Sequence, residues 1–282
     1  MLRTRLPGTA LVAALLAMPA LAGCTGGDDP APSAAETSES PSPTVHRATA
    51  PSRPDDGACY RLTYDDAVAP SVEAEPLPCR QQHNAQTFHV GSLDLAEAGH
   101  LLAVDSDRAR EQVSTTCPRR FAAFVGGSAE QRRLSMLTAS WFSPTLEQSD
   151  AGQAWFRCDV IATSAPQRLA RLEGRLKGVL DSEGGRDRWG RCATGKPGTK
   201  GARHVVCSQK AATWQAVATV DVRPGKKGAY PGVKAARVAG DACEDRARNL
   251  ADDPLTFRWG YEWPTREQWR AGRHYGFCWM PK

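Results

Sequence analysis

The chain predicts an α+β fold of two small related domains. Each is a few antiparallel strands packed on one main helix and stapled by disulfides. Three observations lead there. The block Pro144-Thr145-Leu146-Glu147-Gln148-Ser149-Asp150-Ala151-Gly152 returns as Pro264-Thr265-Arg266-Glu267-Gln268-Trp269-Arg270-Ala271-Gly272, with six identities at an offset of 120. The cysteines recur in the same order, Cys59, Cys79, Cys117 and Cys158 against Cys192, Cys207, Cys243 and Cys278. Each copy also shows the same succession of strand-like and helix-like periodicities, which marks a duplication.

The elements follow in order. Arg3 and Arg5 precede an apolar run over 11–18 and the small-residue stretch Leu21-Ala22-Gly23-Cys24. Residues 1–23 read as a secretory signal, too short and alanine-rich for a membrane span. The last four positions resemble a bacterial lipobox, which makes Cys24 the expected site of lipidation. Residues 24–57 read as the lipidated cysteine and a Pro/Ser/Ala tether. Between Thr25 and Gly57 the only branched aliphatic residue is Val45 and there are no aromatics, so the segment cannot bury enough apolar surface to offset its ordering entropy. A flexible tether of this length spans roughly 30 Å, and two acyl chains suffice for stable anchoring. The expected address is therefore the outer face of the cytoplasmic membrane, with the membrane itself as a partner through the anchor.

That address sets the thiol chemistry, because outside the cytoplasm paired thiols oxidise and stay oxidised. Nine cysteines less Cys24 leave eight, an even number; such a remainder suits a disulfide framework and argues against a cysteine nucleophile.

The first repeat is expected over 58–165. Residues 86–93 alternate as a strand. Ala109, Val113, Cys117, Phe121 and Phe124 share one helix face, ended by Gly126-Gly127. Residues 136–142 and 155–161 read as further strands. The second repeat, over 166–282, follows suit: a strand at 214–222, a helix through Ala236, Ala239, Cys243, Ala247 and Leu250, then strands at 255–259 and 275–280. Thr145 with Gln148, and Thr265 with Gln268, have the spacing of a capping box, and Gly152 and Gly272 sit where a left-handed C-cap belongs. The repeated block is thus a short capped helix between two strands.

Sequence alone does not give the disulfide pairing, but a domain copied whole should close its bridges within each copy. Cys117 and Cys243 lie on the helix face, and Cys158 and Cys278 in the last strand. Helix-to-strand stapling is the expectation, leaving Cys59–Cys79 and Cys192–Cys207 as local loops.

The arrangement resembles the actinobacterial septum formation-like domain of secreted and membrane proteins. The motifs are Gly57-Ala58-Cys59, then Pro78-Cys79-Arg80-Gln81-Gln82-His83, then Trp141-Phe142-Ser143-Pro144 with Gly152 and Cys158. The second copy keeps Trp259, Pro264, Gly272 and Cys278, whereas Val206-Cys207-Ser208-Gln209-Lys210 lacks the proline and histidine. The resemblance implies a role at the envelope, in connection with division, and implies no reaction.

Signatures of known chemistry are sparse. His83 and His89 could share a strand face but have no evident third ligand, so no metal or other cofactor is expected. There is no Gly-x-Ser-x-Gly elbow, and the Gly-Lys pairs at 195–196 and 225–226 lack the rest of a phosphate loop. The chain reads as a binding or scaffold module rather than an enzyme; the alternative is an envelope hydrolase or transferase with an unrecognised site.

Charge divides the halves. Residues 58–165 hold 9 Lys/Arg and 13 Asp/Glu, a net of −4, whereas 166–282 hold 23 and 12, a net of +11. Six of the eight tryptophans are in the second half. Arginines pair with phosphates and carboxylates and indoles stack on sugars. Trp263, Trp269, Arg270 and Arg273 are accordingly the expected centre of a site for an anionic wall polymer, lipid headgroups or an acidic envelope protein. The export address argues against nucleic acid.

Overall fold

The structure, a computed structural model, describes residues 53–282. The expected signal peptide, Cys24 and nearly all of the 24–57 tether lie outside the described residues. The first repeat runs β1 (Cys59–Tyr60), α1 (Tyr64–Val68), β2 (Ala85–Ser92), a small hairpin of β3 (Ala96–Glu97) and β4 (His100–Leu101), α2 (Asp107–Val125), α3 (Ala129–Arg133), β5 (Leu137–Phe142), α4 (Leu146–Asp150) and β6 (Trp155–Ala165). The second runs β7 (Arg168–Leu169), α5 (Glu183–Trp189), β8 (Arg191–Ala193), β9 (His204–Val206), β10 (Trp214–Asp221), α6 (Val233–Val238), α7 (Gly240–Leu250), β11 (Gly260–Glu262), α8 (Arg266–Arg270) and β12 (Tyr275–Pro281).

The duplication is visible strand by strand. The first sheet has the order β1-β2-β6-β5, and the second has the corresponding order β8-β10-β12-β11, with β9 added outside β8. All pairings are antiparallel. Even the irregularity is copied. The β2–β6 ladder shifts register between Thr87 and His89, and the β10–β12 ladder shifts between Ala216 and Ala218, each opposite the strand that holds the last cysteine. A bulge bends its strand and increases the local twist, so the same curl is built into both sheets.

Local chemistry explains the elements. Ser106 caps α2 by accepting from the Ala109 amide, and Gly126 ends it at φ 75°. Ala109, Val113, Cys117 and Val125 form its buried face. The two capping boxes form as the Thr-x-x-Gln spacing requires, Thr145 with Gln148 and Thr265 with Gln268, followed by Gly152 and Gly272 at φ 90° and 89°.

Two expectations are corrected. Residues 255–259 are not a strand: the Asp253 carboxylate accepts from the Leu255 amide, the Thr256 amide bonds to Asp253 O, and Leu255 is 94% exposed. A local Asx turn outcompetes extension there, and the strand begins only at Gly260. The expected single helix through 236–250 is two, α6 and α7, broken at Ala239–Gly240. Gly240 lies against the Tyr261 ring and is a weak helix former.

Four disulfides hold the fold. Cys117–Cys158 ties α2 to β6 and Cys243–Cys278 ties α7 to β12, with Cα separations of 5.5 and 5.1 Å. Cys59–Cys79 and Cys192–Cys207 close the local loops. The loops span 41, 35, 20 and 15 residues, which by chain entropy gives about 3–4 kcal/mol each. The repeats also share a core: Val125, Met136, Leu137, Val160 and Ala162 pack with Ala170, Leu172, Leu176, Leu180, Trp189 and Val206. Backbone bonds stitch the same seam, Met136 N to Trp189 O at 2.8 Å and Arg191 N to Leu134 O at 2.6 Å. The β6–β7 hairpin carries the first sheet across residue 165.

Candidate functional site

Along a strand, successive side chains point to opposite faces. Cys158 and Cys278 point to their helices, so Arg157 and Asp159 in β6, and Phe277 and Trp279 in β12, point to the other face. That face is concave. In the first sheet Tyr60 and Phe142, on opposite edge strands, both reach Arg157, whose guanidinium carbon lies 3.8 and 4.7 Å from their ring centres. Arg157 and Asp159 are buried, with Nη2 and Oδ2 3.3 Å apart. Thr87 Oγ1 donates to Asp159 Oδ1 at 2.8 Å. Burial pushes the Asp159 carboxyl up to about 6 against the pull of Arg157 and Thr87.

In the second sheet the same positions are apolar, and the charges come from other strands and from the turn before β12. Glu262, on edge strand β11, meets His204, on the opposite edge strand β9, at 2.8 Å between Oε2 and Nε2. Only a strongly curled sheet brings those two edges together. Glu262 Oε1 accepts from Arg273 Nη2 at 3.1 Å. Arg273 and Arg191 stack their guanidiniums 4.4 and 4.7 Å from the Phe277 ring centre, a cation–π arrangement. Burial alone would raise the Glu262 carboxyl, but His204 and Arg273 hold it below its usual range. Burial, reinforced by the like charge of Arg273, pulls Arg191 down to about 10. Two guanidiniums and an imidazole therefore share one carboxylate.

Among the described residues, the buried side-chain polar atoms without a hydrogen bond are Arg157 Nε and Nη2, Asp159 Oδ2 and Trp279 Nε1. All lie on these two concave faces. Buried polar groups are normally satisfied, so the faces hold polarity that packing alone does not require.

Beside the second face, at the repeat junction, opens a cavity of about 410 Å³. Arg191, Arg203 and His204 line it from the second repeat; Tyr64, Thr163 and Gln167 bring hydroxyl and amide groups, and Met136 and Ala165 give apolar surface. No carboxylate is among its lining residues. Arg191 Nη2 is partly engaged by Ser135 O at 2.9 Å, while Arg203 is exposed. A wall of cations and neutral donors suits an anionic oxygen group, a carboxylate or a phosphate, set among hydroxyls.

The expected centre at Trp263, Trp269, Arg270 and Arg273 does not assemble as one exposed patch. Trp269 is 5% exposed, and its indole N–H donates to Gly228 O at 3.1 Å. It packs with Val222, Ala236 and Trp263 as core. Arg273 is committed to Glu262, Trp263 is half-buried beneath Arg237, and Arg270 alone of the four points freely outward. His83 and His89 part as well: His83 Nδ1 bonds Gln81 O, while His89 lies edge-on to Phe156. Among the described residues no cluster of three His, Cys, Asp or Glu side chains could hold a metal ion, and no helix is long and apolar enough to cross a membrane. Arg191, Arg203, His204 and Glu262 carry no motif. Only the basic bias of 166–282 pointed toward them.

No curated protein and no solved structure matches the chain. The family model described as septum formation matches it twice, over residues 31–145 and 136–278. With matches covering most of its length and four sheet strands repeated in the same order, the chain belongs to the septum formation family, as a tandem pair of its domain.

Proposed function

We propose that this chain is a lipid-tethered, non-enzymatic module of the cell envelope, held at the outer face of the cytoplasmic membrane. There it binds an anionic group of an envelope component at the junction of its repeats, in connection with septum formation. Family membership supports the envelope setting. The Leu21-Ala22-Gly23-Cys24 stretch and a framework that uses all eight other cysteines support the oxidising, extracytoplasmic address. The observation that carries the binding role is the junction cavity, where the guanidiniums of Arg191 and Arg203 and the imidazole of His204 form one wall, with the carboxylate of Glu262 bonded to His204 behind it.

The test uses the full lipidated chain in neutral phosphatidylcholine vesicles and a soluble carboxylated glycan, an oligogalacturonate, as probe. Binding should weaken with salt and fall about tenfold in Arg203→Gln, roughly the loss of one charge-assisted hydrogen bond. Arg203 is exposed, so the variant keeps the fold. Affinity indifferent to both salt and Arg203→Gln would remove the cavity from the function.

A further inference from the structure

The loop before α6 and the outer side of α6 form a surface that the junction cavity does not use. The loop closes on itself through the Gly225 N to Ala229 O bond at 2.8 Å, leaving Lys226 and Lys227 at its tip, where Lys227 adopts a left-handed φ of 53°. It is held rigidly. Trp269 donates to Gly228 O, the Tyr230 ring packs edge-on to Trp269, and Arg266 covers Tyr230. The helix is fixed by its fully buried Ala236, whose carbonyl accepts from Tyr261 Oη at 2.9 Å.

On the outer side the pattern is unusual for a solvated helix. At 3.6 residues per turn, Val233, Arg237, Lys234 and Val238 fall within one arc of about 140°, with Ala236 on the other side. Val233 is 49% exposed and Val238 67%. Two valines thus flank two cations, next to Lys226 and Lys227. Among the described residues none of these four cations has a carboxylate within ion-pair distance; the nearest acids in sequence are Asp221, which pairs with Arg133, and Asp241 at the start of α7. Exposed aliphatics set among three lysines and an arginine stacked on Trp263, all exposed and without a carboxylate partner among the described residues, complement a surface that is apolar inside and anionic at its boundary.

We infer that the 225–232 loop and α6 dock face-on against an anionic lipid bilayer. Lys226, Lys227, Lys234 and Arg237 meet headgroup phosphates, and Val233 and Val238 enter the acyl boundary. The inference rests on the membrane address proposed above. Docking would add a second attachment to the lipid anchor and fix which side of the protein faces away from the membrane.

The full lipidated chain is reconstituted in vesicles of phosphatidylcholine alone and of phosphatidylcholine with phosphatidylglycerol, and amide hydrogen exchange is read over 223–238. Protection there only in the anionic vesicles, lost in high salt, is the expected result. Each cation removed should lower the docked-to-free ratio about fivefold. Lys226→Gln/Lys227→Gln should then cost about twenty-fivefold, while the control Lys200→Gln costs nothing. Attachment to both vesicle types with unchanged exchange over 223–238 overturns the docking and leaves the anchor standing. Failure to float with neutral vesicles sinks the anchor, and the anionic vesicles then read docking alone. Equal protection by soluble polyphosphate without lipid also overturns the inference, because it assigns the surface to a free polyanion.

Discussion

Arg157 stands in the first sheet where Phe277 stands in the second. Each sits one residue before the cysteine that ties its strand to the helix, and each faces the same register partner, Phe142 for Arg157 and Glu262 for Phe277. The duplicated sheets have exchanged a charge and an aromatic across one strand pair. In one a guanidinium on the central strand is wrapped by edge aromatics; in the other a central aromatic is wrapped by guanidiniums and a carboxylate from elsewhere.

The buried Arg157–Asp159 pair should be costly to break and cheap to replace. Asp159→Leu leaves a buried guanidinium without its counter-ion and should destabilise by about 3–5 kcal/mol. Arg157→Met with Asp159→Leu removes both charges and makes this face resemble that of the second repeat, with a net effect near zero. Denaturant unfolding with the disulfides intact reads both; a double variant as unstable as the single would show that the pair contributes more than mutual neutralisation.

Asp159 also predicts an inverted pH dependence. Its carboxyl is raised from 3.8 to about 6 in the fold, so between those values the folded state binds more protons than the unfolded one. Stability then falls as pH rises through this window, by on the order of 3 kcal/mol. Glu262, held below its usual range, acts in the opposite sense and only at more acid pH. Unfolding free energies at pH 4.5, 5.5 and 6.5 should decline in the native chain, and the decline should disappear in Asp159→Asn, where His89, its imidazole held below the usual range by burial, leaves a rise with pH instead.

The helix-to-strand bridge of the second repeat is expected to contribute about 3–4 kcal/mol, from its 35-residue loop. Cys243→Ala/Cys278→Ala should lower stability by that amount while keeping the far-ultraviolet circular dichroism of the native chain. Because the repeats share the core around Leu172, Leu180 and Trp189, unfolding should remain a single transition. Two separated transitions would mean that the seam at Met136 and Trp189 does not couple the repeats.

What the residues disclosed in advance was local. The four-residue spacing of Ala109, Val113 and Cys117, the Thr-x-x-Gln boxes and the aligned cysteines each act within a turn or a loop, and their geometry follows from chain position. The junction site is different in kind. His204 and Glu262 are 58 residues apart on opposite edges of one sheet, and they meet only because that sheet curls, which no periodicity reports. Trp269 misled for a related reason: it falls within a basic stretch, yet the loop carrying Lys226 and Lys227 folds over it and makes it core. The strand at 255–259 failed on side-chain chemistry, where Asp253 captured the backbone before a ladder could.

Glu262 offers the sharpest separation between an anion site and a merely structural cluster. Its carboxylate neutralises part of the charge that Arg191 and Arg273 bring to the junction and is hydrogen-bonded to His204. Glu262→Gln keeps the shape but turns one acceptor oxygen into a donor and leaves the guanidiniums unshielded, so the fold should lose about 2–4 kcal/mol. Affinity for the oligogalacturonate should move the other way and rise about fivefold, because the cavity wall gains one net positive charge at short range. A structural cluster alone would lose stability and binding together. Opposite signs for the two measurements, with Arg203→Gln showing the reverse in affinity and little change in stability, would mark the cavity as a site whose charge is set by Glu262.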